Sequence, residues 1–115
     1  MQVDPVTGAL PVQFGAETIE LRFTNSAYAY VEQEAGVDCA QEAIARFMDG
    51  AMNRKVVFSM VIAFARAFLR AAKKDPDLVD VADRTELVAA VTALILSTLD
   101  LKPVAANPPE AAGSD

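Results

Sequence analysis

The sequence predicts an α+β fold, mainly α, in which a small N-terminal β-hairpin precedes about four helices around a long apolar central helix. Three observations lead there. Residues 10–23 alternate apolar and polar with a period of two, which lines one face of a strand. From residue 27 onward the apolar positions recur every three or four residues, the spacing of a helix face. The chain has 115 residues, 53% of them apolar, enough for one core and too many for a disordered chain of low hydrophobicity.

The hairpin rests on Leu10, Val12 and Phe14 alternating with Pro11 and Gln13, and on Ile19, Leu21 and Phe23 alternating with Glu20 and Arg22. Gly15-Ala16-Glu17 is the expected loop, with Gly accepting a positive φ. Pro11 has no amide hydrogen, so the first strand should be an edge. A lone two-stranded hairpin is marginal in water. Its apolar face must lie on the helices, or the hairpin must join a sheet with another copy. Residues 1–9, with Pro5 and Gly8 as breakers, are expected to form a flexible arm.

Thr24-Asn25-Ser26 offers caps for a first helix over Ala27–Ala35, stopped by Gly36. Asp38-Cys39-Ala40-Gln41 has capping-box spacing for a second helix, Ala40–Met48, with Ile44, Phe47 and Met48 on one side. Asp49-Gly50 ends or bends it. The third helix should run from about Asn53 to Lys74, with Val56, Val57, Phe58, Met60, Val61, Ile62, Phe64, Phe68 and Leu69 covering most of its circumference. A helix apolar nearly all round is buried on several sides. Lys55, Ser59, Arg66, Arg70 and Lys73 leave it one polar stripe. Pro76 discourages continuation, and a short turn is expected over Asp77–Ala82. Asp83-Arg84-Thr85-Glu86 has capping-box spacing for the last helix, whose Leu87, Val88, Val91, Leu94, Ile95 and Leu99 keep a 3.6 period until Pro103. Residues 10–102 thus form a single domain, and 103–115 have the Pro, Ala, Gly and Ser bias of a disordered tail. Leu21, Phe23, Val31, Phe47, Val57, Val61, Phe64, Leu94 and Ile95 are the expected core.

Composition narrows function. Ten Lys and Arg against sixteen Asp and Glu give a formal charge of −6, the wrong sign for a general nucleic-acid binder. With no His, the commonest general base and the Ser-His and Cys-His nucleophile pairs are missing. One Cys makes no internal disulfide and no thiolate metal site. Cys39 is expected to be a small semi-buried residue. Asp75, Asp77, Asp80 and Asp83 superficially resemble a calcium loop but lack its sixth-position Gly, so an acidic helix entry is the better reading. Glu32 and Glu34 point apart on a helix and cannot share a proton; a solvated face is expected for them. Tyr28 and Tyr30 read as core-edge aromatics. No Gly-rich phosphate loop occurs. No enzyme activity, cofactor or metal is therefore expected. Met1–Pro5 lacks the basic stretch and apolar run of a secretory leader. The apolar runs Val56–Ala65 and Leu87–Leu99 fall short of the about 20 residues that span a bilayer, so no membrane association is expected.

Charge is laid out in blocks: residues 51–74 hold six bases and no acid, and the segments on either side are each net acidic. Such blocks can satisfy one another within a fold or between copies. The apolar surplus and the hairpin edge predict a homo-oligomer, a closed ring or an open spiral, with the Arg66/Arg70/Lys73 stripe meeting an acidic face such as Glu32/Glu34.

At residues 18–36 the string TIELRFTNSAYAYVEQEAG resembles the tail assembly chaperones of long-tailed bacteriophages and gene transfer agents. The strand pattern is matched by Ile19, Leu21, Arg22 and Phe23, the small residue opening the helix by Ala27, the acidic positions by Glu32 and Glu34, and the closing glycine by Gly36. The order of elements that follows is also similar, so the resemblance extends over about residues 10–101. It implies a non-enzymatic factor of the host cytoplasm, absent from the mature virion. Such a factor binds the long apolar tape measure protein, keeps it soluble, and helps bring tail tube subunits to it. The resemblance also implies that a longer frameshifted form can exist. Phe58, Ile62, Phe64, Phe68 and Leu69, with Arg66, Arg70 and Lys73, are the candidate partner-binding residues. The alternative is a small structural head–tail connector or completion protein, equally helical, acidic and without catalytic groups.

Overall fold

The computed structural model describes residues 2–99. Two strands, β1 (Leu10–Phe14) and β2 (Glu17–Leu21), pair antiparallel, with Leu10 opposite Leu21 and Phe14 opposite Glu17. Four α-helices follow: α1 (Asn25–Ala35), α2 (Ala40–Met52), α3 (Phe58–Ala71) and α4 (Arg84–Leu99). A 3-10 helix, Pro76–Val81, joins α3 to α4. The α+β class and the hairpin-then-helices order are those the sequence predicts. The expected disordered tail, 103–115, lies outside the described residues, as does the end of the expected domain.

The period-two pattern works as expected. Leu10, Val12, Phe14, Ile19 and Leu21 are buried, while Pro11, Gln13, Thr18 and Glu20 face solvent. The loop is one residue shorter than expected. Gly15, at φ 62, and Ala16 alone connect the strands, and Gly as the first central residue suits a type II′ turn. Phe23 lies past the strand and is only half-buried. Its ring stacks on Tyr28 at 4.5 Å and meets Phe68 edge-on at 4.9 Å. Phe64 contacts Phe47 at 5.8 Å and Phe68 at 6.2 Å, so aromatic rings tie the hairpin exit, α2 and α3 together. Fully burying one such side chain contributes about 1.5–3 kcal/mol.

α1 begins where Thr24 Oγ1 accepts the Ala27 N–H at 3.2 Å, and it ends at Gly36 in the left-handed region, φ 68. The capping box expected at Asp38–Gln41 does not form. Cys39 takes the cap position, exposed, without a side-chain cap bond. Glu32 Oε2, from the preceding helix, accepts the Ala40 N–H at 3.0 Å instead. The Asp83 cap of α4 does form: Asp83 Oδ2 accepts the Glu86 N–H at 3.0 Å. Glu86 turns its own carboxylate to the Gln13 N–H, fastening α4 to β1. Residues 4–9, expected as a loose arm, close into a turn. Asp4 Oδ1 accepts the Val6 N–H at 2.8 Å, and the Asp4 N–H donates to Ala9 O at 2.8 Å.

Two boundaries differ from the sequence reading. α2 runs through Gly50 to Met52, and α3 starts only at Phe58. Between them the chain reverses sharply: the Lys55 N–H donates back to Gly50 O at 2.6 Å, and Arg54 sits at φ 57. Val57, expected in the core, is therefore 62% exposed at the head of α3. α3 ends three residues earlier than expected, where Lys73 adopts φ 62 and the Lys74 N–H reaches back to Leu69 O at 2.9 Å. This is a Schellman-type closure without its usual glycine. The other expected core residues, Leu21, Val31, Phe47, Val61, Phe64, Leu94 and Ile95, are buried.

Candidate partner-binding site

The third helix divides the residues expected to bind a partner into three groups. Phe64, Phe68 and Leu69 are fully buried. They form the core against which the hairpin and the other helices pack, and they offer no contact surface; their assignment to a binding face is corrected. Phe58 and Ile62 are half-buried one turn apart. The Arg84 guanidinium lies over the Phe58 ring at 5.2 Å, so that face already meets the start of α4. α3 supplies more apolar residues than its exposed sector can show, because α1, the 3-10 helix, α4 and α2 pack around it.

The basic residues are placed just as unevenly. Arg66 Nε donates to Glu34 Oε1 at 3.0 Å, and Arg70 Nη1 donates to Glu34 Oε2 at 2.8 Å. Arg66 Nη1 also reaches Asp77 Oδ1 at 3.0 Å, and Arg70 lies over the Tyr30 ring at 4.5 Å. The expected meeting of this stripe with Glu34 thus occurs within one chain, between α3 and α1. The solvated face expected for Glu34 is replaced by a side chain only 14% exposed. Burial by itself would push the Glu34 carboxyl up, but the hydrogen bonds from Arg70 and Arg66, with their charges, hold it below the ordinary carboxylate range. Lys73 remains exposed at the closing turn of α3.

A surface that does present apolar groups is a cleft of about 650 Å³ bounded by the end of α1, α2 and the first turns of α3. Ala35, Phe47, Val57, Met60 and Ala63 supply its apolar lining. Arg46, Asp49 and Asn53 line it from α2 and its end, and Lys55 and Ser59 from the reversal and α3. Met52, 80% exposed, and Val56 add apolar surface at the same α2–α3 reversal. The sequence contained a usable signal: Arg46, Asp49 and Asn53 recur at three and four residues, a polar stripe beside the apolar one of Phe47. The reversal that exposes Val57 is marked in the sequence by Asp49-Gly50, which reads as an end or bend of the helix but does not tell which way the chain turns.

Chemically, the cleft offers an apolar lining and both signs of charge. Among the described residues no group of three or more His, Cys, Asp or Glu is arranged to hold a metal ion, and no helix is long and apolar enough to cross a membrane. Of the four clustered aspartates, Asp75 accepts the Asp77 N–H, Asp77 pairs with Arg66, and Asp83 caps α4. No family model, curated protein or solved structure matches this chain.

Proposed function

We propose that this chain is a phage tail assembly chaperone that binds and solubilises the tape measure protein and helps recruit tail tube subunits. The observation that carries the reading is the open cleft over Phe47, Val57, Met60 and Ala63. Its volume suits a few apolar side chains of one turn of a partner helix, in the manner of helix-in-groove recognition. A tape measure chain presents many similar apolar turns, and several copies bound weakly along it would gain avidity without any tight single contact. The resemblance of residues 18–36 to the chaperone family supports the same reading.

The test is co-expression with the tape measure protein of the same phage. The tape measure protein should move into the soluble fraction and co-purify with this chain. Mass spectrometry of finished particles should not detect the chain. A tape measure protein that is soluble alone, or stoichiometric presence of this chain in particles, refutes the proposal and favours a structural connector.

A further inference from the structure

The two edges of the hairpin are not equivalent. The edge of β1 is closed: Pro11 has no N–H to offer, the Gln13 N–H donates to Glu86 Oε2 at 3.3 Å, and Phe14 forms a bridge to Ala82. Because Gln13 points its N–H away from β2, the pairs Gln13–Thr18 and Pro11–Glu20 are the non-hydrogen-bonded pairs of the ladder. Thr18 and Glu20 therefore turn their backbone N–H and C=O groups outward from β2, and Arg22, one residue past the strand, is the next position in that alternation. Among the described residues, none of the three makes a backbone hydrogen bond outside the hairpin. A shallow notch of about 190 Å³ runs beside this edge, lined by Glu20, Arg22, Thr24, Phe68, Ala71 and Ala72. The small Ala71 and Ala72 side chains leave space next to the strand.

We propose that β2 is a self-association edge, on which the β2 strand of a second copy pairs antiparallel about a two-fold axis at Leu21. The two hairpins then form one four-stranded sheet. The choice of occupant and register comes from charge. Outward-facing groups must meet outward-facing groups, so residues 18, 20 and 22 can only face even-numbered partners. An axis at Glu20 would set Glu20 against its own copy, which is unfavourable. An axis at Leu21 sets Glu20 opposite Arg22 of the second copy, and Arg22 opposite its Glu20, while Thr18 faces Thr24. Glu20 and Arg22 are both exposed, and neither has an ion-pair partner among the described residues. Pairing also relieves the marginal stability of a two-stranded sheet and covers an edge that would otherwise recruit strands without selection.

Sedimentation velocity on the isolated full chain tests this without reference to any tape measure protein, so its failure is distinct from failure of the chaperone reading. The wild type should be a dimer at high micromolar concentration. Glu20→Arg or Arg22→Glu alone sets like charges across both symmetry-related pairs, and association should weaken roughly tenfold or more. The double reversal Glu20→Arg with Arg22→Glu should restore it. Glu20→Pro removes an outward N–H that the hairpin does not use, and should give monomer with helicity unchanged. A monomeric wild type overturns the proposal. So does self-association that is indifferent both to the single reversals and to Glu20→Pro.

Discussion

The carbonyl oxygen of Lys55 stands 2.8 Å from where a Cβ on Gly50 would lie. Only glycine leaves room there for the chain to fold back on the end of α2, and that reversal carries Val57 and Lys55 to the cleft. In most helix interiors Gly→Ala stabilises by about 1 kcal/mol. At Gly50 the sign should invert, because backbone rather than a movable side chain is in the way. Gly50→Ala should lower stability by about 1–2 kcal/mol, the range of overpacking costs, and lower the melting temperature. A raised melting temperature in calorimetry would show that the contact is not tight.

Lys73 makes the opposite case. Its φ of 62 closes α3 in a region that suits glycine. Lys73→Gly should stabilise the fold by up to about 1 kcal/mol, since relief of left-handed strain exceeds the entropy of freeing the unfolded chain. Chemical denaturation should move the midpoint upward; a clear fall would mean that the lysine side chain contributes to the closure.

Glu34 links α1 to α3 through both of its carboxylate oxygens. Its folded pKa lies below the unfolded value, so the associated stability is fully present above the unfolded carboxylate range. It is lost as pH falls through the lowered folded pKa. Glu34→Gln should cost about 1–3 kcal/mol near neutral pH, the value of hydrogen bonds to a charged group. The mutant should also lose less stability than wild type on acidification. Unfolding free energies measured between neutral and acidic pH decide the matter: parallel wild-type and mutant curves would contradict it.

These cases explain what was legible in the sequence. The hairpin face, the Thr24 and Asp83 caps and the Gly36 stop are local patterns, and each appears where its residues predict. For Glu34 the sequence names the partners, Arg66 and Arg70, but as a contact between copies; they lie more than thirty residues away in the chain, so nothing local shows that the fold itself brings them together. Nothing local separates a carboxylate facing water from one facing a distant guanidinium. Phe64, Phe68 and Leu69 could not be divided from the exposed part of α3 for a related reason. An all-round apolar helix does not state which sector its neighbours leave uncovered. Val57 left the core because the reversal at Gly50 shortened α3 from its N-terminal end.

Val61, fully buried at the centre of α3, tests the core. Val61→Asp should cost several kcal/mol, because an unpaired carboxylate there has no polar partner. Such a loss is comparable to the whole stability of a small domain, and circular dichroism should show the chain largely unfolded. An unchanged melting curve would place α3 at the surface.

The most direct test of the proposed function is site-specific photocrosslinking during co-expression with the tape measure protein. A photoreactive residue at Ser59, on the exposed rim of the cleft, should crosslink to the tape measure protein. The same residue at Ala89, on the exposed side of α4, should not. Met60→Asp should abolish the Ser59 crosslink while leaving the helical signal intact. Crosslinking at Ala89 but not at Ser59 would contradict the assignment of the cleft, and no crosslink to the tape measure protein from either position would contradict the chaperone reading itself.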